Sequence, residues 1–203
     1  MTETVHLVWA AVADGDDRRD VAWSLIRTLV PAARISNPCP LCGGPHGPVR
    51  LDDVPLLASV TYAGGYAIVG LAARANASRL GIDAEPLVDG VRDRAGLTGV
   101  LGRGRPADVR AWTRVEAALK ADGRGLRIDP AEVEVTRGAS GWSARVPGRS
   151  APLSGFDLTG PPGIVVSAAL VAPAALLTPA AVFASAEPLS AAAAATELDR
   201  STR

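Results

Sequence analysis

At 203 residues the chain is long enough to bury a sizeable core. A formal net charge of zero gives no global field to draw it to nucleic acid or an anionic membrane. Hydrophobic residues at 48% and charged residues at 21% suit a globular domain rather than a disordered or fibrous chain. Cys39 and Cys42 are the whole cysteine stock, which excludes a disulfide framework.

Val5 to Ala13 reads as a first strand that runs straight into Asp14, Asp16 and Asp17, and with no basic region ahead of it this start does not read as a signal peptide. From Asp17 the spacing of Val21, Leu25, Ile26 and Leu29 predicts a helix that Pro31 closes. Asn37 to Val49 is loop, punctuated by Pro, Gly and Cys. It holds a C-x-x-C spacing with His46 close behind, but a structural zinc needs a fourth ligand and the only other histidine is His6. Reduced thiols in a loop of small residues are the simpler expectation. Leu56–Thr61 and Tyr66–Ala72, joined by Gly64-Gly65, predict a β-hairpin, and a third strand-like run from Arg79 to Ala84 ends at Glu85 before Pro86.

Asp89 to Arg105, rich in Gly and Arg, is expected to be a mobile connection. A helix should start near Pro106 or Ala107 and stop at Asp122-Gly123. Val133–Thr136, Trp142–Val146 and Ile164–Val171 supply further strands. Gly160 to Ala186 carries no charge and is long enough to span a membrane, but four prolines and an Ala-rich composition favour a buried strand at its start. Beyond Pro173 the chain turns Ala-rich, and from about Glu187 a frayed helix or disorder is expected. The expectation is a mixed α/β (α+β) chain with strands and a long helix in each half, no membrane span and a cytoplasmic location.

Among twenty arginines stands a single lysine, Lys120, four residues after Glu116 on the second predicted helix. Residues four apart share a helix face, so the pair is either a surface ion pair or a working unit. Asp83 and Glu85 lie two apart on a predicted strand and therefore point to one side of it. Paired carboxylates repel each other unless a cation joins them, and Mg²⁺ is the hard, oxygen-seeking candidate; a solvated strand end is the plainer alternative.

Gly81-Ile82-Asp83-Ala84-Glu85 followed by Trp112-Thr113-Arg114-Val115-Glu116-Ala117-Ala118-Leu119-Lys120 resembles the paired motifs of the 4′-phosphopantetheinyl transferase superfamily, in its pseudo-dimeric, surfactin-synthetase-activator type. Pro45-His46-Gly47-Pro48 is similar to the family's Gly-Lys-Pro loop, and Ser59-Val60-Thr61-Tyr62 stands where the family has a Ser-His step. Arg18 and Arg27 are similar to two arginines of its first helix. The similarity spans about Asp17 to Pro173.

The resemblance implies a pseudo-two-fold fold of two similar halves, each with a small sheet and a long helix. Residues 1–80 would contact coenzyme A, 81–175 would carry the metal and catalytic motifs, and 176–203 would be a flexible tail. It further implies Mg²⁺-dependent transfer of 4′-phosphopantetheine from coenzyme A to a serine of an acyl or peptidyl carrier protein, by a monomer. Asp83, Glu85 and Glu116 would hold Mg²⁺, with Glu116 as base and Lys120 as donor to the departing phosphate. Coenzyme A would meet Arg18, His46, Gly47, Arg50, Thr61, Tyr62, Asp83 and Lys120.

Three positions depart from the pattern. Val115 replaces a lysine, Tyr62 a histidine, and Pro48 the lysine of the loop, where Arg50 could substitute. These departures motivate the alternative of a catalytically impaired relative that only binds coenzyme A or a carrier protein.

Overall fold

The computed structural model describes residues 5–88, 94–102, 104 and 107–173. Strand β1 (Val5–Ala11) is followed by helix α1 (Arg18–Leu29), whose first turn is capped by the Asp17 carboxylate accepting from the Arg19 and Asp20 amides. Two short strands, β2 (Arg34–Ser36) and β3 (Arg50–Asp52), pair with each other and frame the predicted loop. β4 (Leu56–Ala63) and β5 (Tyr66–Ala73) form the predicted hairpin, with Gly64 at φ +54° and Gly65 at φ +79°, a geometry that suits glycine at both turn positions. Then come β6 (Arg79–Pro86), α2 (Arg94–Leu101) and α3 (Val109–Asp122), which is capped by Asp108 and ends at Gly123. The hairpin of β7 (Glu134–Gly138) and β8 (Gly141–Arg145) leads to β9 (Leu153–Thr159) and β10 (Ile164–Val171).

Every strand pairing is antiparallel, giving a sheet β1-β5-β4, a sheet β6-β10-β9-β8-β7 and the small β2-β3 ribbon. Period-two alternation sorts the residues into layers. On one face of the first sheet Ala22 and Ile26 of α1 pack with Val8, Ala67, Val69 and Leu71. Its other face, through Val5, Leu7 and Ile68, meets Ile82, Ala84, Phe156, Val166 and Ala168 of the second sheet. The far side of the second sheet is covered by α3, with Val115, Ala118 and Leu119 against Ala144, Leu153 and Ala169. The order of layers is helix, sheet, sheet, helix, a mixed α+β arrangement.

Three sequence expectations need correction. The connection expected over Asp89–Arg105 contains α2: Leu97 and Leu101 are buried, and Leu101 joins the core under α3. The Gly and Arg content masks this i, i+4 apolar pair. Strand β9 was not foreseen, because Ser154, Gly155 and Asp157 dilute its apolar pattern; the indole of Trp142 fills the space where a side chain at 155 would stand. β2 and β3 were also missed. The strand foreseen at the start of Gly160–Ala186 is β10, and among the described residues no helix is long and apolar enough to cross a membrane. The Ala-rich tail expected beyond Pro173 lies outside the described residues.

Candidate functional site

The site begins with a glycine. A Cβ at Gly81 would collide with the Ala117 carbonyl oxygen and the Ala121 nitrogen, so only glycine lets the α3 backbone lie directly on β6. That approach puts Lys120 over the next residue on the same strand face, Asp83. The Lys120 Nζ donates to Asp83 Oδ1 at 2.6 Å, and the Thr61 hydroxyl of β4 donates to the same oxygen at 3.3 Å. Lys120 also reaches the Thr61 Oγ1 at 3.4 Å. Asp83 is 5% exposed, and its Oδ2 is buried with no hydrogen-bond partner. Among the described residues it is the one buried carboxylate oxygen left so, and such an atom is costly unless something cationic meets it.

One step further along the strand face, Glu85 Oε1 accepts from the Trp112 indole at 3.2 Å. Glu116 lies half-buried on α3, between the turns that carry Trp112 and Lys120. Asp83, Glu85 and Glu116 each offer carboxylate oxygen, the chemistry a hard divalent cation such as Mg²⁺ takes, but the described residues gather a close set of metal-ligating atoms at Cys39, Cys42 and His46 and not at these three. Lys120 occupies one Asp83 oxygen and leaves the other open.

Across the second sheet Asp83 pairs in register with Ser167, and Ser167 with Asp157, so three polar residues form one transverse row beneath α3. Arg114 grips both oxygens of Asp157 through Nε and Nη2, at 3.0 and 2.5 Å; Ser167 donates to it at 3.0 Å, and Arg110 lies at 3.3 Å. Thr113 and Ser167 share a hydrogen bond of 3.1 Å. Burial pushes the Asp157 carboxyl up, but Arg114, Ser167 and Arg110 more than offset it and hold the group below the usual carboxylate range.

Beside Lys120 opens a cleft of about 770 Å³. Its wall holds seven cationic side chains, Arg50, Arg74, Arg79, Lys120, Arg124, Arg127 and Arg149, against one acid, Asp122. Asp122 is tied up by Arg124, at 2.6 and 3.0 Å, and by Arg149 at 3.2 Å. Burial raises its carboxyl and these bonds outweigh that, leaving it anionic to low pH. The remaining excess of positive charge suits a polyanionic ligand, with guanidinium forks matched to phosphate. An adjoining hollow shares Lys120, Arg124 and Arg127 and is walled by the loop carrying Cys39, His46 and Gly47.

The structure thus brings together Thr61, Asp83 and Lys120, sets His46, Gly47 and Arg50 along the adjoining walls, and places Glu85 and Glu116 at the same helix–strand junction. Arg18 and Tyr62 belong elsewhere. Thr61 and Tyr62 are neighbours on β4, so they point to opposite faces, and Tyr62 lies on the α1 side with the Arg18 guanidinium 4.7 Å from its ring centre. Burial raises the Tyr62 phenol, and Arg18 acts in the opposite direction. Val115 is buried in the core under α3, where a lysine could not be solvated. The arginines of the cleft other than Arg50 escaped sequence reasoning, since twenty arginines spread along the chain give no local signal. Asp157 and Ser167 escaped it because only the register of β9 and β10 makes them neighbours of Asp83.

No protein-family model matches this chain, and no curated protein matches it either.

Proposed function

We propose that this protein transfers the 4′-phosphopantetheine arm of coenzyme A to a serine of an acyl or peptidyl carrier protein and releases 3′,5′-ADP. The observation that carries the reading is the Asp83–Lys120–Thr61 junction, with its unpartnered Asp83 Oδ2, at the mouth of an arginine-lined cleft. A buried acid beside a surplus of cations is the arrangement needed to hold a metal against a pyrophosphate. The layer order, with two antiparallel sheets each covered by one helix, supports the pseudo-two-fold fold that the resemblance implies.

In this reading the guanidinium groups of the cleft take the 3′-phosphate and the pyrophosphate of coenzyme A. Asp83, Glu85 and Glu116 would hold Mg²⁺, which when bound neutralises charge on the phosphoanhydride. Glu116 accepts the proton of the carrier serine hydroxyl, directly or through water, as the serine oxygen bonds to the pantetheine-side phosphorus. The phosphoanhydride P–O bond breaks, and Lys120 donates to the phosphate that leaves as 3′,5′-ADP. Arg18 and Tyr62, stacked on the α1 face, support the fold of the first sheet in this reading rather than the chemistry.

The test is intact mass of a panel of apo carrier proteins after incubation with the protein, coenzyme A and Mg²⁺. One added phosphopantetheine, abolished by chelator and by Glu116→Ala, is the expected result. Coenzyme A binding without any mass gain on any carrier would instead favour a module that binds coenzyme A or a carrier and transfers nothing.

A further inference from the structure

The loop between β2 and β3 folds its three soft-ligand side chains into one cluster. The two sulfurs of Cys39 and Cys42 and a ring nitrogen of His46 all lie within 4.8 Å of one another. Cys42 Sγ and His46 Nε2 are 3.1 Å apart, and both cysteines are free thiols. Spacing of two in C-x-x-C, with the histidine four residues on, lets one tight turn present all three.

That turn is built, not loose. The Cys39 amide donates to the Gly44 carbonyl, the Gly43 amide to the Cys39 carbonyl, the His46 amide to Gly44, and the Gly47 amide to Asn37, each at 2.8–2.9 Å. The Asn37 side chain closes the loop onto the Pro45 carbonyl at 2.9 Å. The three ligand atoms are therefore held together by backbone geometry rather than by chance rotamers. Tetrahedral zinc needs its sulfur and nitrogen ligands about 3.5–4 Å apart, so the 3.1 Å Cys42–His46 contact must lengthen by about 0.4 Å and the wider separations, all within 4.8 Å, contract by about 1 Å at most.

We infer that Cys39, Cys42 and His46 form a zinc site with two thiolates, one imidazole and a fourth position taken by a ligand from solvent. Among the described residues no fourth protein ligand joins the three, the lack that made the C-x-x-C look like plain loop in the sequence, and the fourth coordination position is then open. Two thiolates neutralise the ion, so it adds little to the positive field of the neighbouring cleft. Its role follows from its place: Cys39 and His46 wall the hollow that adjoins Lys120, Arg124 and Arg127, so the ion clamps that wall. This inference stands apart from the transferase reading, because the ligands belong to a different element from Asp83, Glu85 and Glu116.

The experiment is titration of the reduced, metal-stripped protein with Co²⁺, read by absorption, and then with Zn²⁺. Sulfur-to-cobalt charge-transfer bands and intense tetrahedral d–d bands that saturate at about one equivalent and vanish on adding zinc are expected. Cys42→Ser should remove most of the charge-transfer intensity, and His46→Ala should shift the d–d envelope, with circular dichroism of each variant unchanged. Should either variant misfold, the wild-type spectrum decides alone. Absence of the charge-transfer bands at stoichiometric cobalt, spectra unchanged in Cys42→Ser, or a stable Cys39–Cys42 disulfide forming in preference to metal uptake would each overturn the site.

Discussion

Asp157 and Asp83 stand on either side of Ser167 in the same row of the second sheet, under the same helix, yet they are held in opposite ways. Asp157 has every capacity used: Arg114 takes both oxygens, with Ser167 and Arg110 in addition. Asp83 is the more deeply buried of the two, with Lys120 and Thr61 crowded onto one oxygen and the other left bare. A satisfied carboxylate fastens a helix to a sheet, whereas an unsatisfied one keeps free energy in reserve for a ligand. The difference separates a structural junction from a candidate working one within a single row.

The strongest way to break both junctions at once is to lift α3 off β6. Gly81→Ala places a Cβ against the α3 backbone, which has no side chain to rotate aside, and the cost should reach about 3 kcal/mol or more. Urea unfolding measures it, and an unchanged midpoint would refute the close approach. Next is Arg114→Met, which strips the structural junction alone. Loss of one partner of a buried pair costs about 3–5 kcal/mol, and since the Asp157 side chain keeps 27% of its exposure the expected loss is smaller, about 2 kcal/mol. Coenzyme A binding, measured by calorimetry at a temperature where the variant is folded, should change little.

Acid sharpens the same contrast. The folded pKa values of Asp157 and Asp122 are depressed, so the stability they contribute is fully present above their unfolded value of about 3.9 and is lost as pH falls through the folded values. Unfolding free energy should therefore decline below about pH 4, and Asp157→Asn should flatten that decline. An equally steep acid slope in the variant would mean that the junction is not anionic in the way its partners imply.

Local patterns in the sequence were enough for the hairpin at Gly64-Gly65, for α1 from Asp17 and for α3 with its stop at Asp122-Gly123, though α3 starts at Val109 behind Asp108 rather than near Pro106 or Ala107. Asp83, Glu85, Glu116 and Lys120 stood out by residue type in an arginine-rich chain, but the sequence paired Lys120 with Glu116, and only the close approach of α3 to β6 joins it to Asp83. What remained hidden depends on register and on crossing of layers. Asp157 gains its partners only when β9 slides into line with β10, and the arginine cleft assembles from segments spread over the chain from Arg50 to Arg149. Tyr62 was placed in the site by the resemblance alone, as the counterpart of a histidine, while the pleat of β4 sends it to the face opposite Thr61.

The smallest stability change should come from Asp83→Asn, and it is the most telling of the set. The amide keeps an oxygen for Lys120 and Thr61 and replaces the bare Oδ2 with an NH₂ group, so a repulsive, unsatisfied charge disappears along with an ion pair. Lys120 keeps 34% of its side-chain exposure and can be solvated once its partner is neutral. These changes oppose each other, and unfolding free energy should move by less than about 1 kcal/mol in either direction. Ligand binding should not be spared in the same way. With the anionic oxygen gone, any strengthening of coenzyme A binding by Mg²⁺ should fall about tenfold or more, while metal-free binding to the arginine cleft persists. A large loss of stability with metal-linked binding intact would reverse the assignment, making Asp83 the fastener and leaving the row without its working end.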